Sequence, residues 1–416
     1  MATIPDEGGL DHSLALVSEG YNFISNRCRK FNSDIFSTRL LGRAFYCIRG
    51  ADAAAMFYEE GRFTRRGGLP NSVLHLLQDE GSVAVLDADA HHHRKAMMMM
   101  SLMSAGRLQE IAELASSGLR DHARRLVGHG PVVMHDELRK VLCAASCRWA
   151  DIDLSESDLA DLTVDIGAMI DNAGSVGPSN WLARVERYRA ERLLRGIVED
   201  VRAGRARPAQ GTALHAIAMH RDLDGELLTP DVAAVELLNI LRPTVAIARF
   251  MTFALLALRE HPEARQQLSS DDAYLEAFVQ EVRRFYPFFP FVAGKARTQF
   301  DWRGCHFDEG DLFLLDLYGT CHDDASWDEP MTFRPERFMQ WPGDPFTMIP
   351  QGGGDHAVNH RCAGEWLTIK VMKAMLRTLA RDIDLETPEQ DLSIDLAKMP
   401  ALPTSGFRAE VRALRE

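Results

Sequence analysis

The pattern of apolar and polar positions along the chain predicts a mainly helical protein. Apolar residues recur at spacings of three and four, as they do when one face of a helix packs on a core. The pattern predicts helices over residues 13–21, 52–58, 106–127, 135–150, 157–173, 183–204, 229–261, 272–286 and 366–380. Short runs rich in apolar residues predict strands over 44–48, 293–300 and 312–317, with further strands near the C-terminus. The strands do not alternate with helices as in a βαβ series. We therefore expect one large, mainly α domain over residues 1–416, with small β-sheets.

Turn and cap signals add boundaries to this pattern. Asp52 is expected to cap the second predicted helix. Gly67-Gly68 and Pro70 indicate a turn. The pattern is mostly helical from Ser72 to Val127 and is interrupted by an expected loop near 81–89.

The longest predicted helix, over 229–261, carries one anomalous residue. Thr229-Pro230 is a typical helix start, with an N-cap followed by proline at the first helical position. The centre, residues 236–246, is almost wholly apolar and is expected to be buried on most sides. A buried guanidinium at Arg242 needs an anionic partner, and Pro243 removes a backbone hydrogen bond and kinks the helix. Two interpretations stay open: an anionic ligand beside the kink, or an internal carboxylate that pairs with Arg242.

A glycine-rich loop, residues 351–365, carries a second candidate for chemistry. Its three consecutive glycines, Gly352 to Gly354, permit positive φ and a close approach to a flat ligand. Cys362 follows eight residues later, next to Arg361 and just before a helix, where helix N-terminal N–H groups favour a thiolate. A thiolate suits a soft metal, and the iron of haem is one candidate. The alternative is a glycine-rich surface loop with a buried, inert cysteine.

Two charged motifs are weaker signals when taken alone. Glu281 and Arg284 are spaced to pair on one helix face, and Arg337 follows in a Phe-Arg-Pro-Glu-Arg-Phe segment that could supply a second arginine. Such pairs also occur on ordinary solvated faces. The patch from His91 to Lys95 is interpreted as an anion-binding helix N-terminal turn, or else as a solvated basic turn. Three adjacent histidines point in different directions, which disfavours zinc. Met97 to Met100 are expected to be core filling that peroxide could oxidise.

Composition excludes several classes of protein. Hydrophobic residues make up 46% and charged residues 26% of the chain, as in ordinary globular proteins. The net charge of −13 argues against binding to nucleic acid or to anionic membranes. Seven scattered cysteines do not form a disulfide framework, and the pair Cys143 and Cys147 is expected to be core. The start of the chain does not resemble a signal peptide, and no apolar run approaches 18 residues, so we expect a cytoplasmic protein without a membrane span.

Together these motifs resemble the cytochrome P-450 superfamily. The Glu281–Arg284 pair, the Pro335-Glu336-Arg337-Phe338 segment and the cysteine loop occur in that family's order and spacing. The resemblance implies that a haem b lies between the long central helix and the helix after the cysteine loop. It implies that Cys362 is the axial ligand of the haem iron. It also implies that Glu281, Arg284 and Arg337 form a structural triad.

The central helix resembles one branch of that superfamily, the bacterial fatty-acid peroxygenases and their decarboxylating relatives. In place of the usual acid–alcohol pair it has Arg242-Pro243, and the triple-glycine loop, residues 315–323 and the N-terminal run 13–62 also resemble this branch. The resemblance implies hydrogen peroxide as oxidant, without a redox partner. It implies that Arg242 binds the carboxylate of a fatty acid, which serves as the acid–base group. Hydroxylation at the α or β carbon, or decarboxylation to a terminal alkene, would follow.

The resemblance also gives expectations for the surroundings of the haem. It implies that the propionates are held by four basic residues: His91, Lys95, Arg361 and Arg65. Phe288 and Phe289 are expected to line the substrate pocket. Relatives carry Gln or His where this chain has Ala84, so its regioselectivity is open. Two other functions remain as alternatives: a reductase-dependent P-450 monooxygenase acting on another carboxylate, and a non-catalytic haem-binding protein.

Overall fold

The computed structural model describes residues 3–69, 76, 81–175 and 177–415 and is mainly helical over them. The predicted fold class, mainly α with small sheets, is therefore confirmed. The helices are α1 (Ser13–Glu19), α2 (Phe23–Phe31), α3 (Ala51–Phe57), α4 (Ala88–Leu102), α5 (Ala105–Leu126), α6 (Met134–Ala150), α7 (Glu156–Asp171), α8 (Pro178–Arg202), α9 (Ala213–Ala218), α10 (Pro230–Glu260), α11 (Ala264–Ser270), α12 (Asp272–Phe285), α13 (Leu317–Cys321) and α14 (Glu365–Asp382).

Ten short strands form the β-structure of the described residues. They are β1 (Ile35–Leu40), β2 (Arg43–Ile48), β3 (Phe63–Thr64), β4 (Val132–Val133), β5 (Phe291–Ala296), β6 (Phe300–Trp302), β7 (Cys305–Phe307), β8 (Leu312–Asp316), β9 (Ile383–Glu386) and β10 (Arg408–Leu414). The largest sheet has the order β1-β2-β8-β5-β3, with β2 and β8 parallel and the other pairs antiparallel. A three-stranded sheet, β4-β10-β9, brings the C-terminus against α5, and β6-β7 is a hairpin.

Helix α10 is the centre of the main hydrophobic core. It begins as predicted, because the Thr229 side chain caps it by accepting from the Val232 N–H, and Pro230 takes the first turn. It packs against α6, α8 and α14. By length and hydropathy α10 is the one helix among the described residues that could cross a membrane, which corrects the expectation that no run approaches that length. Its apolar window is 89% buried inside the protein, as in a core helix.

Three local expectations differ from the structure. Asp52 does not cap α3: Gly50, at φ 96°, occupies the cap position, and Asp52 lies in the first turn. The predicted strand over 293–300 divides, because β5 pairs with β8 and β3 whereas the next residues form the separate β6–β7 hairpin. The strand β1 was not predicted. The turn residue Pro70 and the start of the helical pattern at Ser72 lie outside the described residues.

Candidate active site

The cysteine loop holds its shape through glycines that other residues could not replace. Gly352 and Gly354 have φ of 93° and 84°, a region that L side chains rarely adopt. A Cβ on Gly353 would lie 2.8 Å from the main-chain oxygen of Pro345, and one on Gly354 would lie 2.3 Å from the Asn359 side chain. The loop therefore folds back tightly on itself before it reaches the cysteine.

Cys362 lies at the end of this loop, three residues before α14 begins. Its N–H donates to the main-chain oxygen of Gln351 at 3.0 Å, and the Gln351 amide nitrogen lies 3.8 Å from Sγ. Burial raises the pKa of the thiol and the Glu365 carboxylate adds to this, whereas the Gly364 N–H and the cation of Lys95 oppose it. The Gly364 N–H therefore acts in the direction expected of a helix N-terminus, but burial outweighs it and the pKa of the thiol stays raised. A metal cation bound at Sγ would supply the missing positive charge, which fits a haem iron.

Arg361 does not face the thiol, because Glu365 holds its side chain. The Arg361 Nε donates to Glu365 Oε2 at 2.6 Å, and the ring nitrogen of His356 lies 2.8 Å from the same oxygen. Arg283 pairs with the other carboxylate oxygen. Burial alone would raise the pKa of Glu365, but Arg283, His356 and Arg361 together hold it well below its usual range. Glu365 thus joins α12, α14 and the cysteine loop.

Glu281 joins two arginines that are 53 residues apart in sequence. Arg284 donates to both of its carboxylate oxygens at 2.7 and 2.8 Å, and Arg337 approaches within 3.3 Å. Glu281 and Arg284 are fully buried, and the Arg334 N–H adds a bond to Glu281 at 2.7 Å. The structure therefore brings together the three residues for which a triad was expected, and it ties α12 to the segment just before the cysteine loop.

A basic cleft opens between the start of α4 and the cysteine loop. Among the described residues, five basic ones line it, Arg65, Arg297, His91, His92 and His360, together with three acidic ones, Glu59, Glu60 and Asp87. The rings of His91 and His360 lie 4.1 Å apart. Burial lowers the pKa of His91 to about 4, and neighbouring cations such as Lys95 lower it further. Burial and Arg65 likewise lower the pKa of His360, to about 2. Such crowding of basic groups favours an anionic ligand, and haem propionates fit this requirement.

The other two expected propionate contacts are engaged elsewhere. The Lys95 amine donates to the main-chain oxygens of Asn359 and Arg361, the second at 2.8 Å. The Arg361 guanidinium donates to the Gly354 oxygen as well as to Glu365. Neither is among the described residues that line the cleft. Both side chains stabilise the conformation of the cysteine loop. Sequence reasoning missed His360, although it adjoins Arg361 and Cys362 in the same motif.

Arg242 is buried near the middle of α10, with 6% of its surface exposed. Two of its partners are neutral oxygens: Nη1 donates to the main-chain oxygen of Leu76 at 3.1 Å, and Nη2 donates to Asn239 Oδ1 at 2.9 Å. Pro243 lies inside the helix and cannot donate to the main-chain oxygen of Asn239. The hydroxyl of Thr244, the next residue, donates to the Ile240 oxygen at 2.8 Å.

The three expected pocket residues lie in different surroundings. Ala84 is half-buried in a single 3₁₀ turn, Val83–Val85, whose first N–H donates to Glu236 of α10. Phe288 stacks on Phe250 of α10 with ring centroids 4.1 Å apart. Phe289 packs edge-on against Phe288 and is 40% exposed. Ala84 and Phe288 therefore both lie close to α10, whereas Phe289 reaches the surface.

The fold is mainly helical, and a single cysteine on a glycine-rich loop precedes a helix that packs on the central helix. These features are typical of the haem-thiolate class of proteins. The family model for cytochrome P-450 matches residues 248–410. The chain belongs to the cytochrome P-450 family, whose members hold haem through a cysteine thiolate.

Three solved structures illustrate this similarity over nearly the whole chain. A variant of cytochrome P-450 OleT in complex with arachidonic acid is 36% identical, with a TM-score of 0.96 over 100% of both chains. Wild-type P-450EX alpha (CYP152N1) with myristic acid is 41% identical, with a TM-score of 0.95 over 99% of both. A variant of P-450SP alpha (CYP152B1) is 43% identical, with a TM-score of 0.94 over 97% of this chain and 100% of that one. The resemblance inferred from the sequence motifs is confirmed.

Proposed function

We propose that the protein is a haem-thiolate peroxygenase that uses hydrogen peroxide to oxidise fatty acids. The observation that carries this proposal is the buried Arg242, followed by Pro243, at the middle of the central helix. The bound molecules of two similar structures, arachidonic acid and myristic acid, are both long-chain carboxylic acids. A cation on the central helix is the group that such an acid requires.

Arg242 would bind the substrate carboxylate. A guanidinium and a carboxylate form two parallel charge-assisted hydrogen bonds, and a buried site strengthens them. Two of the Arg242 contacts, to Asn239 Oδ1 and to the Leu76 main-chain oxygen, help to fix the guanidinium beside Pro243. The acid would then lie with its first carbons nearest to the reactive centre.

The bound carboxylate would also move the proton that peroxide chemistry requires. Between Leu237 and Arg259 the central helix has no acidic residue, and the Thr244 hydroxyl is engaged with the Ile240 oxygen. A carboxylate fixed by Arg242 is the acid–base group that can take a proton from one peroxide oxygen and return it to the other. This requirement favours peroxide over reductase-delivered electrons as the source of oxidising power.

The cofactor in this proposal is haem b, with Cys362 as the axial ligand. Haem bound through a thiolate would supply an iron centre at which electron donation from the sulfur favours cleavage of the O–O bond of peroxide. Arg65 and His91, with His360, would bind the propionates in the basic cleft, and Lys95 and Arg361 would hold the cysteine loop. Hydrogen abstraction near Arg242 would give α- or β-hydroxy acids or terminal alkenes. Ala84 and the Phe288–Phe289 pair would influence which product dominates.

Product formation with hydrogen peroxide, compared with a reductase system, tests this proposal. Purified holoprotein is given saturated fatty acids of increasing chain length, with hydrogen peroxide in one series and with a reductase system plus catalase in the other. We expect oxidised products with peroxide alone. Products that require the reductase would indicate a monooxygenase instead. Stable haem without product in either series, and without a spectral response to fatty acids, would indicate a haem-binding protein.

A further inference from the structure

We propose that Glu236 is a positioning residue that, acting through Asn239, orients the Arg242 guanidinium toward the substrate carboxylate. This inference rests on the function proposed for Arg242 and assigns a role to residues that do not touch the substrate. It starts from a chain of buried polar groups that runs along one face of α10.

Glu236 is a fully buried carboxylate with both oxygens engaged. Oε1 accepts from Arg94 Nη1 at 2.8 Å and from the Val83 N–H at 2.8 Å, and Oε2 accepts from Asn239 Nδ2 at 3.1 Å. Arg94 is itself only 2% exposed and also pairs with Asp222. Burial raises the pKa of Glu236, but the three groups that face it all donate, which is the arrangement that an ionised carboxylate requires.

Asn239 transmits this constraint to Arg242. Asn239 is three residues from both Glu236 and Arg242, so it neighbours each of them on the helix surface. Since Glu236 takes the Asn239 NH₂ group, Oδ1 has to face the other way, where it accepts from Arg242 Nη2 at 2.9 Å. The Leu76 oxygen takes Nη1 at 3.1 Å. The orientation of the guanidinium plane therefore depends on which way the Asn239 amide points.

The nearly isosteric change Glu236→Gln should turn the Asn239 amide the other way. Gln keeps one acceptor, which the buried Arg94 retains, and its NH₂ group then faces the Asn239 NH₂ group. The clash of two donors is relieved when the Asn239 amide flips. The flip, however, places its NH₂ group against Arg242, where the guanidinium needs an acceptor. Arg242 then loses its 2.9 Å bond and leaves the orientation that suits a carboxylate.

The same carboxylate reaches the other side of the expected pocket. The bond from the Val83 N–H fixes the first residue of the turn that contains Ala84. Glu236 therefore links the substrate-anchoring arginine to the position at which this chain departs from its relatives. Because Gln can still accept from the Val83 N–H, Glu236→Gln should affect carboxylate binding more than the position of the Ala84 turn.

Ligand titration of ferric holoprotein tests this role without relying on turnover. Fatty-acid binding is followed by the change in haem spin state, and the alcohol of equal chain length reports binding without a carboxylate. For Glu236→Gln we expect about tenfold weaker binding of the acid and unchanged binding of the alcohol. Asp222→Asn removes the other, exposed carboxylate from Arg94 and is the matched control, for which both affinities should stay as in wild type.

Two further variants, Arg242→Leu and Asn239→Leu, help to interpret each outcome of the Glu236→Gln titrations. Wild-type acid affinity in Glu236→Gln, or equal losses for acid and alcohol, would overturn the positioning role. Arg242→Leu in the same titrations separates the two proposals: if it does not weaken acid binding selectively, the anchor itself is wrong. Should Glu236→Gln lose haem or unfold, Asn239→Leu breaks the same chain of bonds next to Arg242. Asn239→Leu must then weaken binding of the acid but not of the alcohol, and the proposal fails if it does not.

Discussion

Single residues carry the chemistry of this molecule, and Arg242 is the most informative of them. A buried guanidinium costs several kcal/mol unless an anion compensates it. The Arg242 side chain lies beside Pro243 in a mainly apolar helix, at one end of the polar contacts that join Glu236, Asn239 and Arg242. In the proposed function, the carboxylate of the substrate is the anion that this guanidinium binds.

Replacing this arginine should separate substrate binding from haem binding. We expect Arg242→Leu to lower peroxide-driven oxidation of fatty acids at least 100-fold, because the acid–base carboxylate is no longer held in place. Haem content should stay as in wild type. Arg259→Leu, an exposed arginine on the same helix, is the control and should retain full activity. Wild-type rates in Arg242→Leu would contradict the anchor role.

A contact between two residues could be predicted from sequence when its partners lie close together in the chain. Glu281 and Arg284 are one helical turn apart, so their pairing follows from helix geometry. The Glu236–Arg94 pair joins residues 142 apart, and the histidine rings at 91 and 360 meet only in the folded chain. Arg361 shows the converse: it adjoins Cys362 in sequence, yet its charge is directed to Glu365.

At the scale of elements, the junction between β8 and α13 contains a buried acid that should make stability pH-dependent. Asp316 caps α13 through the Gly319 N–H and accepts from the Ser25 hydroxyl, and burial raises its pKa to about 6. The neutral form is thus favoured in the folded state. Its contribution to stability is complete below pH ~4 and is lost as pH rises through about 6.

Thermal and denaturant unfolding of Asp316→Asn at several pH values tests this expectation. The free energy of unfolding of wild type, relative to the variant, should fall by about 2 kcal/mol between pH 4 and pH 7. Asp324→Asn, on the neighbouring exposed turn, controls for the loss of one charge. A difference between wild type and Asp316→Asn that stays constant over this range would show that Asp316 is not protonated in the folded protein.

Long helices were predictable from periodicity, whereas short strands were not. The 31-residue α10 has a start signal and a sustained pattern, and it was predicted to within one residue at each end. Strand β1 has six residues in a mixed pattern, and it becomes a strand because β2 pairs with it. The break between β5 and β6 is likewise decided by pairing partners elsewhere in the chain. Local pattern does not contain this information.

At the scale of the whole molecule, the Glu281–Arg284–Arg337 triad joins α12 to the segment before the cysteine loop. Glu281 has no exposure to solvent and lies between Arg284 and Arg337, so removing its charge leaves two buried cations without this carboxylate. We expect Glu281→Gln to cost about 3–5 kcal/mol of stability and to lower the yield of haem-loaded protein. Glu336→Gln, an exposed acid next to Arg337, should leave the melting temperature unchanged. Equal melting temperatures for both variants would contradict a structural role for the triad.

The overall fold was accessible from sequence through its motifs rather than through composition. Arg242-Pro243, the triple-glycine loop and Cys362 indicated the family, and similar structures confirm it over nearly the whole chain. The shape of the substrate pocket was not accessible, because it depends on how the Ala84 turn and Phe288 are held against α10. Those contacts join distant parts of the chain.

The central claim is that the substrate's own carboxylate, held by Arg242, serves as the acid–base group. The most direct measurement compares initial rates of peroxide-driven oxidation for a fatty acid and for the alcohol of the same chain length, at saturating concentrations of each. We predict that the acid is oxidised at least 100-fold faster, since the alcohol cannot move the proton. Equal rates for the two compounds would contradict the claim.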